Sequence, residues 1–477
     1  MPGYLFLALI LLFFVVILIR TLLFKPKAQP EISHDAATFD TDGAVRALAR
    51  LVRCRTVSNP DHTLEDDAEF EKLIAMLPDL YPNVFSACDF WQLPDRALLF
   101  CWPGKNAGDP AVLMAHYDVV PVNEESWEKP PFEAIIEDGY LWGRGTLDTK
   151  VTFNGILFAA NHLIGAGFRP EHDVYFAFSG GEEVNGRGAP NIVAWFKEQG
   201  ITPSMVVDEG GAVVENVFPG VKQPCGLIGI AEKGMMNVRF RTVSAGGHAS
   251  APKPHTPVGI LAKACTRVDG DPFPMHLTKP VVEMFDTLGR HSTFLYRLVF
   301  ANLWCFGWVI DLLGKMSGGE MNALVRTTAA FTQMEGSSAR NVIPPEAKMV
   351  ANMRLNPADS VTSALDYLKT VVDDEKVEIT VLEFFEPSRI SRTDCEGWEK
   401  VSAAVAETWP GCIVSPYLMV QCSDSRHWGV ISDKVYRFSA MDLTAEERST
   451  IHGNNERIRL ECAQRAVEFF IRLMKKC

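Results

Sequence analysis

The most constraining feature of this chain is an alternation. Short apolar runs are separated by helical patterns: "AVLMA" (111–115), a helix over about Val151 to Gly165, "DVYFAF" (173–178), a helix over about Ala189 to Gln199, then "SMVV" (204–207). Strands alternating with helices imply an α/β fold, with a mostly parallel sheet covered on both faces. Such sheets bind ligands at the carboxyl ends of their strands. The ends here are chemically uniform: His116 and Asp118 follow the first run, Glu182 and Glu183 the second, and Asp208 and Glu209 the third. Asp148, in "GRGTLDTK", precedes a helix.

Each element alone has an ordinary explanation. A His-x-Asp pair closes many strands, Asp148 serves equally as a helix N-cap, and adjacent glutamates are usually a solvated face. Together they put imidazole and carboxylates on one rim, the ligand set of a zinc, cobalt or manganese site rather than calcium or magnesium. The glycines around "GGEEVNGRG" permit a turn in which neighbouring residues serve one site, which strand alternation would forbid.

From about residue 231 the order becomes strand, helix, two strands, helix, strand, that of a ferredoxin-like unit. The sequence divides into a catalytic domain in two parts (43–230 and 389–477) and an inserted α+β lid or dimerisation domain (231–388). The insert "STFLYRLVFANLWCFGWVIDLLGKM" (292–316), within an apolar stretch over about 280–320, is interrupted by Arg297 and Asp311. Burial or an in-plane membrane contact fits it better than a second span.

An apolar N-terminal stretch (4–24), broken only by Arg20, is long enough for a transmembrane helix, with a polar linker (25–42) after it. A cleaved signal peptide is the alternative, though neither a basic start nor a small-residue cleavage site is present. Basic residues lie only after the span, which leans the body toward the cytoplasm. Eleven scattered cysteines without a CxxC pair suit reduced thiols. A net charge of -13 argues against a nucleic-acid partner.

The blocks "MAHYDVVPV", "GRGTLDTK", "GGEEVNGRGA", "VVDEGG", "GGHASAP", "RNVIPPEAKMVANMRLNP" and "IHGNNER" occur in this order. As a set they resemble the co-catalytic dizinc amidohydrolases that include aminoacylase, glutamate carboxypeptidase and carboxypeptidase S. The nearest likeness is to carboxypeptidase S and the N-fatty-acyl-amino-acid synthase/hydrolase.

The resemblance implies two Zn2+ (Co2+ or Mn2+ in their place) bridged by Asp148, with His116 and Asp208 on one ion and Glu183 and His452 on the other. It implies Glu182 as general base toward the attacking water and Asp118 as the partner of His116. It also implies a homodimer in which His248 acts across the interface with Asn341 on the oxyanion, while Arg354 clamps a substrate carboxylate. The substrate class is an N-acyl amino acid or short peptide with a free carboxylate. A strict dipeptidase or carboxypeptidase, and a catalytically silent membrane-anchored binding protein, are the alternatives. Thr149 stands where the family usually has an acidic residue joined to the bridging aspartate by a cis peptide, and Gln421 where glycine is common.

Overall fold

The computed structural model describes residues 2–27, 32 and 37–477; the middle of the expected linker lies outside the described residues. In chain order the principal strands are β1 (Asp89–Leu93), β2 (Ala97–Trp102), β3 (Asn106–His116), β4 (His172–Ser179), β5 (Met205–Val214), β6 (Cys225–Glu232), β7 (Gly234–Val243), β8 (Thr328–Glu335), β9 (Glu346–Leu355), β10 (Glu378–Phe385), β11 (Ile413–Met419) and β12 (Val435–Leu443). The principal helices are α1 (Pro2–Leu23), α2 (Lys150–Gly165), α3 (Gly188–Glu198), α4 (Pro257–Gly270), α5 (Lys279–His291), α6 (Phe294–Ala301), α7 (Leu303–Ser317), α8 (Gly319–Val325), α9 (Val361–Val372) and α10 (Leu460–Met474).

The central sheet runs β1-β2-β4-β3-β5-β12-β6-β11. The pairs β4–β3, β3–β5, β5–β12 and β6–β11 are parallel. The last seven residues of β3 are all buried, as a parallel strand covered on both faces requires. Helices α2 and α10 belong to the larger core with Leu113, Phe176 and Val207. On the opposite face α3 packs Ile192, Val193 and Phe196 with Val112, Tyr175 and Trp428. The fold class expected from the sequence is therefore the one observed.

The second sheet, β8-β9-β7-β10, is antiparallel throughout and carries α4 and α9 on its own core of Met236, Phe240, Leu261, Met353 and Leu368. β9 alternates half-buried and buried residues along its whole length, the period of a strand with one face on a core. Within this unit's sequence the segment α5–α8 departs from the expected placement. Val281, Phe285, Leu288, Phe300 and Val325 join the core of the central sheet rather than that of the lid. The cause is the apolar face of α5, which has a larger apolar surface to cover there than beside the small lid core.

Candidate metal centre

The carboxyl ends of β3 and β4 converge on the middle of β5. His116 is the last residue of β3, and its Nε2 lies 2.9 Å from Asp148 Oδ1 and 3.4 Å from Glu209 Oε1. His452, on the loop before α10, places Nε2 3.0 Å from Asp148 Oδ2 and 3.1 Å from Glu183 Oε2. The two oxygens of Asp148 thus face two histidines, one on each side. Two groups of ligand atoms cluster tightly among the described residues: His116, Asp148 and Glu183, and His116, Glu182 and Glu209.

Glu182 and Glu183 occupy a single 3-10 turn closed by Asn185 in the left-handed conformation (φ 54°). Asp118 holds that turn. Its carboxylate accepts the backbone N–H of Glu182 (3.1 Å) and of Glu183 (3.2 Å), and the hydroxyl of Ser58 (2.7 Å). The His116 Nδ1 lies 3.0 Å from the Asp118 carbonyl oxygen and 3.4 Å from its carboxylate. A donor there leaves Nε2 as the ring nitrogen facing the carboxylate cluster. Asp118 therefore orients the imidazole mainly through its backbone, and its side chain organises the glutamate pair, a function that the sequence spacing does not reveal.

Asp208 departs from the expected ligand arrangement. Its Oδ2 accepts the backbone N–H of Ser425 (2.8 Å), and Glu209, not Asp208, reaches His116. The pairing of β5 with β12 slips here, from Asp208 opposite Arg437 to Gly211 opposite Phe438. A bulge re-aims the side chains beside it. Gly210 has φ 145°, and a Cβ on it would lie 2.6 Å from Arg437 Cβ.

Glu456, four residues after His452, was not identified from the sequence. Fully buried, it accepts the backbone N–H groups of Gly145 (3.1 Å), Leu147 (2.7 Å) and Asp148 (3.3 Å), and pairs with the buried Arg144 at 2.6 Å. It ties the loop of Asp148 to that of His452. The following Asp148–Thr149 peptide is cis, with threonine in place of the acidic residue.

The electrostatics of the cluster call for cations. Burial pushes the carboxyls of Glu182 and Glu183 up, and that of Glu209 up to about 8, with neighbouring carboxylates adding to it. His452 is pushed up to about 10 by its hydrogen bonds to Asp148 and Glu183. The buried Oε1 of Glu183 has no hydrogen-bond partner. Four carboxylates and two imidazoles facing one another, with no arginine or lysine ion-paired to them among the described residues, fit divalent ions, which would hold them deprotonated.

Three further expected residues lie elsewhere. His248 is exposed, on a two-residue strand paired with Val342–Ile343, and its Nδ1 contacts the Ser250 hydroxyl at 2.7 Å. Asn341 is exposed beside it, accepting the Ala249 N–H (3.0 Å). Among the described residues, no hydrogen bond or ion pair joins either to the cluster of their own chain. Arg354, half-buried on β9, donates to the sulfur of Cys422 at 3.2 Å. Cys422 and Gln421 line a cavity of about 450 Å³ that opens on Asp148, Glu182, Glu183 and His452.

Residues 112–476 match the model of peptidase family M20/M25/M40. The chain belongs to this family. It is 36% identical over 439 residues to the N-fatty-acyl-amino acid synthase/hydrolase PM20D1 of Xenopus tropicalis, covering 90% of this chain and 85% of the relative. It is 31% identical over 477 residues to a probable carboxypeptidase S-like protein of Dictyostelium discoideum, covering 98% and 92%. Among solved structures, an M20 family metallo-carboxypeptidase from Sulfolobus solfataricus superposes with a TM-score of 0.67 at 18% identity, covering 91% of this chain and 98% of that one. A dinuclear metal binding M20 peptidase of Bacillus subtilis superposes at 0.56 and 11% identity, covering 91% and 98%. As an M20-family metallopeptidase the chain is a metal-dependent hydrolase of amide bonds.

Proposed function

We propose that this enzyme hydrolyses the amide of an N-acyl amino acid with a free carboxylate, using two zinc ions. The observation that carries the substrate class is the cavity. Besides the carboxylate cluster it is lined by Leu227, Met419, Met441, Leu443, Tyr417 and Glu320. Apolar lining beside the reacting groups suits an acyl chain, whereas a strict dipeptidase has no use for it.

In this reading His116, Asp148, Glu183, Glu209 and His452 would hold the ions, with Glu209 taking the role first expected of Asp208. Bound at these residues, the ions would polarise the scissile carbonyl and bring the pKa of water from about 15.7 toward 7. Glu182 takes a proton from the attacking water and returns it to the leaving amine, its carboxyl aimed by the Asp118 contacts to its turn. His248 and Asn341 stabilise the oxyanion from the partner of a homodimer. Arg354 clamps the substrate carboxylate beside Cys422. The N-terminal helix is retained as a membrane anchor, with the body on the cytoplasmic side.

Metal analysis of the purified full chain, with hydrolysis of N-acyl glycines of increasing chain length beside dipeptides, tests this reading. Two zinc ions per chain and a kcat/KM that rises with acyl length are expected. Dipeptides as the best substrates would overturn it.

A further inference from the structure

Helices α6 and α7 carry a surface that the enzyme chemistry does not use. On α7 the side chains of Trp304, Trp308, Leu312 and Met316, spaced four apart, are all exposed, with Leu313 beside them. Residues four apart share one helix face. On α6, Phe294, Leu295 and Tyr296 are exposed as well. The opposite side of α7 is ordinary protein interior: Ile310 and Gly314 are buried, and Asp311 pairs with the buried Arg326 (2.6 Å) as well as with the exposed Lys315 (3.0 Å).

The same two helices hold α1. Arg20, the only charge within the apolar N-terminal run, donates from Nε and Nη2 to the carbonyl of Ala301, the last residue of α6 (3.3 and 3.1 Å). At the α6–α7 break the buried Asn302 donates to the Thr21 hydroxyl at 3.2 Å and to the Ile17 carbonyl at 3.4 Å. Phe13 packs edge-on against Trp304, with centroids 5.7 Å apart. Ile17 and Thr21 are buried by this contact, while the outward side chains of α1 from Tyr4 to Leu23 are exposed. The exposed face of α7 therefore continues the exposed apolar face of α1.

We infer that α6 and α7 form an in-plane membrane wedge, embedded in the same bilayer that α1 enters and docked against it. The two helices meet at 113°. At 1.5 Å per residue, α7 is only about 22 Å long, short of the roughly 30 Å hydrocarbon core, so the pair enters one leaflet and does not cross. A bilayer is the occupant because the patch is continuous with a helix of membrane-spanning length and composition. The tryptophans and Tyr296 suit the interface between headgroups and acyl chains. The wedge also adjoins the catalytic cavity: α8 follows α7 directly, and its Glu320 both lines that cavity and accepts the Tyr417 hydroxyl at 3.1 Å.

Tryptophan fluorescence of the full chain in phosphatidylcholine vesicles with brominated acyl chains tests the inference. Of the ten tryptophans, Trp304 and Trp308 alone are exposed among the described residues, and α1 contains none. Lipid brominated near the headgroup should quench part of the emission, and lipid brominated near the chain end should quench less. The Trp304→Phe, Trp308→Phe double variant should lose the quenched part while remaining bound through α1. Absence of quenching in the unaltered chain would overturn the wedge, as it would if a second copy covered this face. Quenching that persists undiminished in the double variant would overturn it too.

Discussion

Replacing Glu456 by glutamine probes a residue that touches neither substrate nor the ligand atoms. Its Oε1 gathers three backbone N–H groups of the Gly145–Asp148 loop, and its Oε2 meets Arg144. A glutamine has one oxygen for these two tasks. With that oxygen turned to the loop, its amide N–H groups face the guanidinium, and Arg144, 2% exposed, is left as a buried charge without its partner. Removing one side of a buried ion pair costs about 3–5 kcal/mol. Because the loop it holds ends at Asp148, metal retention should fall as well, by about 10–100-fold in affinity. The assay is urea unfolding of the metal-loaded full chain in detergent, followed by near-ultraviolet circular dichroism, with metal content measured after dialysis. The Arg144→Met, Glu456→Gln double variant should lose less stability than Glu456→Gln alone, since it removes the stranded charge while the glutamine oxygen still accepts from the loop. A single variant within about 0.5 kcal/mol of the parent and fully metallated, or a double variant worse than the single, would show that Glu456 holds neither the loop nor Arg144 in this way.

Two other outcomes follow from the site. Glu209→Gln should lose metal by about 10–100-fold in affinity, whereas Asp208→Asn, whose oxygen can still accept the Ser425 N–H, should retain metal more closely; competition with a chromophoric chelator distinguishes them, and the reverse order would restore Asp208 as the ligand. His248→Ala and Glu182→Gln should each be nearly inactive, yet after subunit exchange shown by tag pull-down a mixture should recover roughly a quarter of wild-type activity, because half the dimers are mixed and each has one complete site. No recovery with exchange demonstrated would place His248 outside the partner's site.

Much of this architecture was legible in the sequence, and the exceptions have physical causes. The buried runs of β3 and β4 announce themselves because parallel strands covered on both sides are uninterrupted apolar stretches. Their ends then locate His116 and the Glu182–Glu183 turn. Which of Asp208 and Glu209 faces His116 is not legible in the sequence, because the apolar run "SMVV" stops where β5 itself continues through a bulge, and a bulge depends on pairing with β12, more than two hundred residues away. Glu456 was invisible for a related reason: a buried carboxylate reads as a surface one until its donors, three hundred residues distant, are known. The wedge helices show the converse. Their apolar character was plain in the sequence, but Asp311 could be assigned a side only once its pairing with the buried Arg326 was visible.

In the proposed mechanism Glu182 carries the proton while its neighbours hold the metal. Its most direct test is the turnover of Glu182→Gln together with its metal content. Two ions per chain are expected, as in the parent enzyme, with a kcat lower by about 10²–10⁴-fold, because an amide cannot take the proton from water. A variant that turns over near the parent rate, or one that is inactive only because it has lost its metal, would contradict it.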